Sequence, residues 1–173
     1  VILTLTAVAA MAVILYETFA SHATVRYKES FFDVFDTYSE ITVYAATEAE
    51  AQAAAESAHQ ELLLYHQLYD IYNDYEGINN LKTVNDQAGL TPVAVDERIL
   101  SLLSFAKEME SKTNGRMNVA MGSVLALWHT YREAGLADPE NAALPPLAAL
   151  QAAAEHTAIG DVVIDEAAGT VYL

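Results

Sequence analysis

The chain contains no cysteine in its 173 residues. That excludes a disulfide framework, a thiolate zinc site and a cysteine nucleophile. Basic residues are also scarce, with 8 Lys and Arg against 24 Asp and Glu and a formal net charge of -16. Such a balance repels polyanions, so nucleic acid is not an expected partner. What is abundant is apolar: hydrophobic residues make up 53% of the chain, partly through alanine. This composition suits one domain with a sizeable core and excludes a disordered chain.

The run from Val1 to Tyr16 is apolar apart from two Thr, and Glu17 closes it. As a helix it would rise roughly 24 Å, slightly short of a roughly 30 Å hydrocarbon core. Residues 1–20 are therefore expected to form one hydrophobic helix acting as a membrane anchor or signal segment, with Ser21-His22-Ala23 as the small-residue site if it is cleaved. Residues 21–30 read as a linker, polar from Arg26 to Ser30, and 31–173 as the folded part. An export signal ahead of an acidic domain points to the extracytoplasmic face of a cell membrane.

The segment from Phe31 to Ala45 is dense in aromatic and β-branched residues with partial alternation, and it predicts paired strands. Thr47 with Glu50 forms a capping box. Ala51, Ala55, Ala58, Leu62, Tyr65 and Tyr69 then recur at helical steps, predicting a long amphipathic helix. A second helix follows Val93-Ala94-Val95, with Asp96 as its cap and Ile99, Leu102, Leu103, Ala106 and Met109 on one face. Gly115 ends it. A third is predicted from near Ala120 past Trp128 to Glu133, before Gly135 and the Asp138-Pro139 turn. Pro145-Pro146 starts a helix with Leu147, Leu150 and Ala154 inward, and 161–173 reads as a hairpin turning at Ala168-Gly169. The sum is an α+β fold, a mixed or antiparallel sheet covered by helices.

Two stretches carry the chemistry. From Leu68 to Leu81, tyrosines and amides crowd a turn, and Tyr72 offers a phenol that can stack on a flat ring and donate a hydrogen bond. From Thr113 to Trp128, Arg116-Met117-Asn118 precedes a helix N-terminus, where free backbone N–H groups and the dipole favour an anionic or carbonyl-rich ligand edge. Either stretch also has a plain structural reading, with Gly115 a helix cap, Met117 core and Tyr72 one of 10 tyrosines. His59 and His66 are two turns apart, whereas a metal-binding pair on a helix needs members three or four positions apart. They read as packing or solvent-facing histidines. The acidic pairs Asp33 with Asp36 and Asp161 with Asp165 read as charged turns, so no metal ligand is nominated.

In order and spacing these stretches resemble the ApbE family, the FAD:protein FMN transferases. Its members show a strand with a Met-Gly-Thr-like step, a helix running into a Tyr-rich turn followed by Asn, and a Thr-Gly-Gly-x-Phe-Asp/Asn segment leading to Trp. Here Phe35-Asp36-Thr37 stands at the first, Tyr72 with Asn79 and Asn85 at the second, and Thr113-Asn114-Gly115-Arg116-Met117-Asn118 through Trp128 at the third. The resemblance spans roughly residues 31–173. Phe35-Asp36 departs from the commoner Met-Gly. Nothing corresponds to the family's later Asp-Leu-Gly-Gly-Ile-Ala-Lys-Gly-like loop, its His-Ile-hydrophobic-Asp-Pro segment, or its metal ligands. The chain is therefore expected to be the amino-terminal half of such a domain.

The resemblance implies FAD as substrate and Phe35, Tyr72, Arg116, Met117 and Asn118 as its contacts. It also implies Mg²⁺ held by residues beyond Leu173, and a Thr-bearing exported flavoprotein as acceptor. The pyrophosphate of FAD is anionic, so a chain this acidic needs a divalent cation or local N–H groups to receive it. No catalytic residue is assigned. FAD pyrophosphatase and a non-catalytic, membrane-tethered flavin-binding module are the alternatives.

Overall fold

The computed structural model describes Met11 and residues 24–173. The expected hydrophobic helix over 1–20 lies, Met11 apart, outside the described residues. Among those, no helix is long and apolar enough to cross a membrane. The chain divides into two compact units, one ending at His66 and the other running Gln67–Leu173.

The first unit is a hairpin followed by a helix. Strand β1 (Val25–Phe31) pairs antiparallel with β2 (Ser39–Ala45), from Val25 opposite Ala45 to Phe31 opposite Ser39. β1 occupies the stretch read as polar linker. Its polar residues at Arg26, Lys28 and Ser30 are the exposed half of an alternation whose other half, Tyr27, Glu29 and Phe31, is more covered. Residues 32–38 form the connecting loop, so the paired strands lie on either side of it. Helix α1 (Glu48–Tyr69) starts at the predicted capping box, Thr47 N–H donating to Glu50 Oε2 at 3.1 Å and Glu50 N–H to Thr47 Oγ1 at 3.2 Å. Ala51 and Ala55 on it are fully buried, and the His59 ring stacks on Phe31 at 4.0 Å. Small side chains on one stripe let the helix backbone lie close against its neighbours.

In the second unit, α2 (Leu81–Asp86) is capped by Asn80, and α3 (Glu97–Lys112) by Asp96, whose carboxylate accepts from Arg98 N–H at 2.9 Å. A three-stranded antiparallel sheet has β5 (Thr170–Tyr172) in the centre, between β3 (Val93–Ala94) and β4 (Val163–Asp165). The β4–β5 hairpin is the one predicted, and Asp165 accepts from Ala168 N–H in its turn. Ile99, Leu103 and Ala106 of α3 are buried, as are Val93, Val162 and Val171, and Lys107 Nζ reaches Val162 O at 2.5 Å. This core amounts to one apolar helix stripe on a small sheet.

Helices α4 (Gly122–Ala137) and α5 (Leu147–Ala154) complete the unit. α4 runs through Gly135 and stops only at Asp138, because an isolated glycine weakens a helix by about 1 kcal/mol without ending it. Leu147 is exposed, not inward as predicted, and neither helix buries a residue fully.

Candidate functional site

The Tyr72 turn is built around one carboxylate. Asp70 Oδ1 accepts from the N–H of Tyr72 at 2.6 Å and of Asn73 at 3.2 Å. Its Oδ2 accepts from Asn73 Nδ2 and Tyr75 OH, each at 2.8 Å. Partial desolvation raises the carboxyl's pKa. The hydrogen bonds, led by Asn73 and the Tyr72 N–H, outweigh that and hold it down at about 2.

Asn80 closes the turn from the other side. It is fully buried; its Nδ2 donates to Asn73 O at 2.8 Å, and its Oδ1 accepts from Thr83 N–H at 3.0 Å. Asn79, the amide read beside Tyr72, instead donates to Ala94 O at 2.8 Å, tying the turn to β3. With its backbone fixed in this way, Tyr72 keeps 66% of its surface exposed.

The second turn uses backbone conformation instead. Asn114 and Gly115 both take positive φ, 55° and 78°, and the Gly115 N–H returns to Glu110 O at 2.9 Å. Consecutive left-handed residues end α3 and reverse the chain. Thr113 Oγ1 then accepts from Met117 N–H at 3.0 Å while donating to Met109 O at 2.7 Å. Asn118 donates through Nδ2 to Thr157 O at 2.8 Å and accepts at Oδ1 from Ala120 N–H at 2.8 Å. Its amide is thus occupied in holding the turn. Arg116 and Met117 are exposed, and among the described residues no carboxylate pairs with Arg116.

α4 begins directly after this turn, and no side chain caps its N-terminus. Its first N–H groups make a locally positive end in an acidic chain, and the exposed Arg116 precedes it in sequence. The Tyr72 ring lies 6.1 Å from that of His129, centroid to centroid. His129 is two turns into α4, about 10 Å along the axis from Gly122. The tyrosine turn and the helix that the amide turn launches are therefore neighbours through Tyr72 and His129.

Phe35 stands in the first unit, in the loop between β1 and β2. It and Asp36 take φ of 55° and 50°, a conformation costing an L-residue about 1–2 kcal/mol. Metal-capable donors also occur in this unit. Oxygens of Glu29 and Glu56 and a ring nitrogen of His59 lie within 4.8 Å of one another. Glu56 and His59 are three apart on α1, a pairing the sequence analysis does not consider. The His59 Nε2 is taken up by Asp33 at 2.9 Å.

The ApbE family profile matches residues 35–172. The chain belongs to the ApbE family. Among solved structures it is similar to the ApbE protein from Thermotoga maritima, at 22% identity and a TM-score of 0.68, over 86% of this chain and 45% of that one. At that identity the likeness shows a shared fold, and the chain spans less than half that protein's length. No curated protein matches. In this ApbE chain Asp36 takes a positive φ, a region that glycine enters freely and that Asp is among the few other residues to tolerate.

Proposed function

We propose that the protein of which this chain is part moves FMN from FAD onto a Thr hydroxyl of an exported flavoprotein, releasing AMP. The observation that carries the reading is the turn at Arg116–Asn118, whose exposed guanidinium has no carboxylate partner among the described residues and which precedes in sequence a helix with no side-chain cap, within the span matched by the family. In this reading Arg116 and the first N–H groups of α4 meet the pyrophosphate, and Met117 and Tyr72 offer apolar and aromatic surface to a flat ring. Phe35 is read as a further apolar flavin contact. Asn118 acts through the backbone it holds in place.

The reaction is a displacement at phosphorus. The Thr oxygen forms a bond to the FMN phosphorus, the bond from that phosphorus to the bridging oxygen breaks, and AMP leaves with the electron pair. The hydroxyl proton passes to a base on the rest of the protein or to solvent. A bound Mg²⁺ would supply neutralisation of the phosphate charge. It prefers a shell of oxygens. The Glu29, Glu56 and His59 group mixes in a nitrogen and makes a poor match, so no Mg²⁺ ligand is assigned to these residues. We also place the domain on the extracytoplasmic side of a membrane, because the apolar run at 1–16 reads as an export segment.

Incubating the full-length protein with FAD, Mg²⁺ and a Thr-bearing acceptor tests the reading. A covalently fluorescent acceptor with matching AMP is the expected result. AMP without labelling would make the protein a pyrophosphatase. No response of flavin fluorescence or protein stability to FAD would leave neither reaction standing.

A further inference from the structure

The loop between β1 and β2 holds two adjacent non-glycine residues, Phe35 and Asp36, in the left-handed region. A bulky aromatic there is uncommon, and such strain persists only where surrounding structure imposes it. Val34 is fully buried beside it, and Thr37 N–H closes a turn onto Val34 O at 3.4 Å. The longer-range tie is His66, in the last turns of α1. Phe35 N–H donates to His66 Nδ1 at 3.0 Å, and the two rings meet edge to face at 5.8 Å and 82°. A single imidazole thus grips both the backbone and the side chain of one residue. Because Nδ1 accepts, the neutral ring carries its proton on Nε2.

Held in this way, Phe35 still exposes 43% of its surface. Exposed aromatic area on a strained, externally clamped backbone is the arrangement of a contact organised before its ligand arrives. We infer that His66 is a positioning residue that presents the Phe35 ring to the flavin, a role that rests on the FAD reading above. His66 does not itself touch the ligand. Asn can place an acceptor where Nδ1 stands, whereas Ala cannot.

The test uses full-length protein with H66A, H66N, F35A and the H66A/F35A double variant. Amide hydrogen exchange is followed without FAD, and FAD affinity by flavin fluorescence. H66A is expected to speed exchange at the Phe35 amide by about tenfold and weaken FAD binding by about three- to tenfold, with H66N recovering most of both. On the F35A background, H66A should change affinity by less than about twofold, since coupled residues are non-additive. Unchanged exchange at Phe35 in H66A would overturn the inference and leave the FAD reading intact. Fully additive losses in the double variant would likewise overturn it. Faster exchange in a protein that never responds to FAD would overturn the flavin role and the reading beneath it, leaving only a structural clamp.

Discussion

The turns at 70–80 and 113–121 reach a similar end by different chemistry. Both hold a fixed backbone under an exposed side chain, Tyr72 in one and Met117 in the other. In the first, an ionised carboxylate and a buried amide do the fixing. In the second, two left-handed residues and a threonine hydroxyl do it. The first is therefore sensitive to protonation and to loss of a polar group, the second to added steric bulk. Lys82, at the start of the helix after the first turn, is paired with Asp74 and Asp86, whereas Arg116 in the second has no carboxylate partner among the described residues.

The largest expected effect is at Asn80. N80A removes the cap of α2 from a fully buried position and takes away the Nδ2 donor of Asn73 O. It should lower stability by about 2–4 kcal/mol in urea unfolding. A loss below that of an ordinary surface change would show that the amide is not what closes the turn.

Next is Asp70. D70A should cost about 1–3 kcal/mol, because hydrogen bonds to a charged acceptor are the stronger kind. The folded carboxyl lies at about 2, below its ordinary value of 3.8. Its stabilisation is complete above the ordinary value and is lost as pH falls from there through about 2. Stability of the wild type should therefore fall more steeply over that interval than that of D70N. Parallel curves would remove Asp70 from the account.

A smaller loss is predicted for G115A. At φ 78° a Cβ finds room, with Glu110 Oε1 as its nearest neighbour at 3.7 Å, so the cost is conformational. About 1–2 kcal/mol is expected. R116A should alter stability by no more than about 0.5 kcal/mol, since the side chain is exposed and has no carboxylate partner among the described residues. Its effect should appear in FAD affinity instead, and a variant that binds FAD as well as the wild type would detach the guanidinium from the pyrophosphate.

Much of the fold was legible where local chemistry decides it. The Thr47–Glu50 box, the Asp96 cap and the final hairpin all formed as read, because each is a short-range arrangement of side chain and backbone. β1 was missed because alternating Arg26, Lys28 and Ser30 look polar until pairing with β2 gives them a solvent face. Leu147 was read inward from periodicity, which states that a stripe is apolar but not that anything covers it.

At the candidate site, turns formed where they were read, and two of their amides hydrogen-bond within the protein. Asn118 and Asn79 spend their amides on Thr157 O and Ala94 O. The residue that organises the tyrosine turn, Asp70, lay in plain view two positions before Tyr72, and an Asp at that offset is a recognised turn signal. Asn80, three before Thr83, was equally readable as a cap. His129 and His66 were not, since their partners are distant in sequence and meet them only through packing.

The most direct measurement is amide hydrogen exchange of the full-length protein with and without FAD, read over 70–80 and 113–121. The account predicts that FAD slows exchange in both turns, most at the amides from Arg116 into the first turn of α4. Unchanged exchange in both, with FAD bound and protection confined to other parts of the protein, would contradict it.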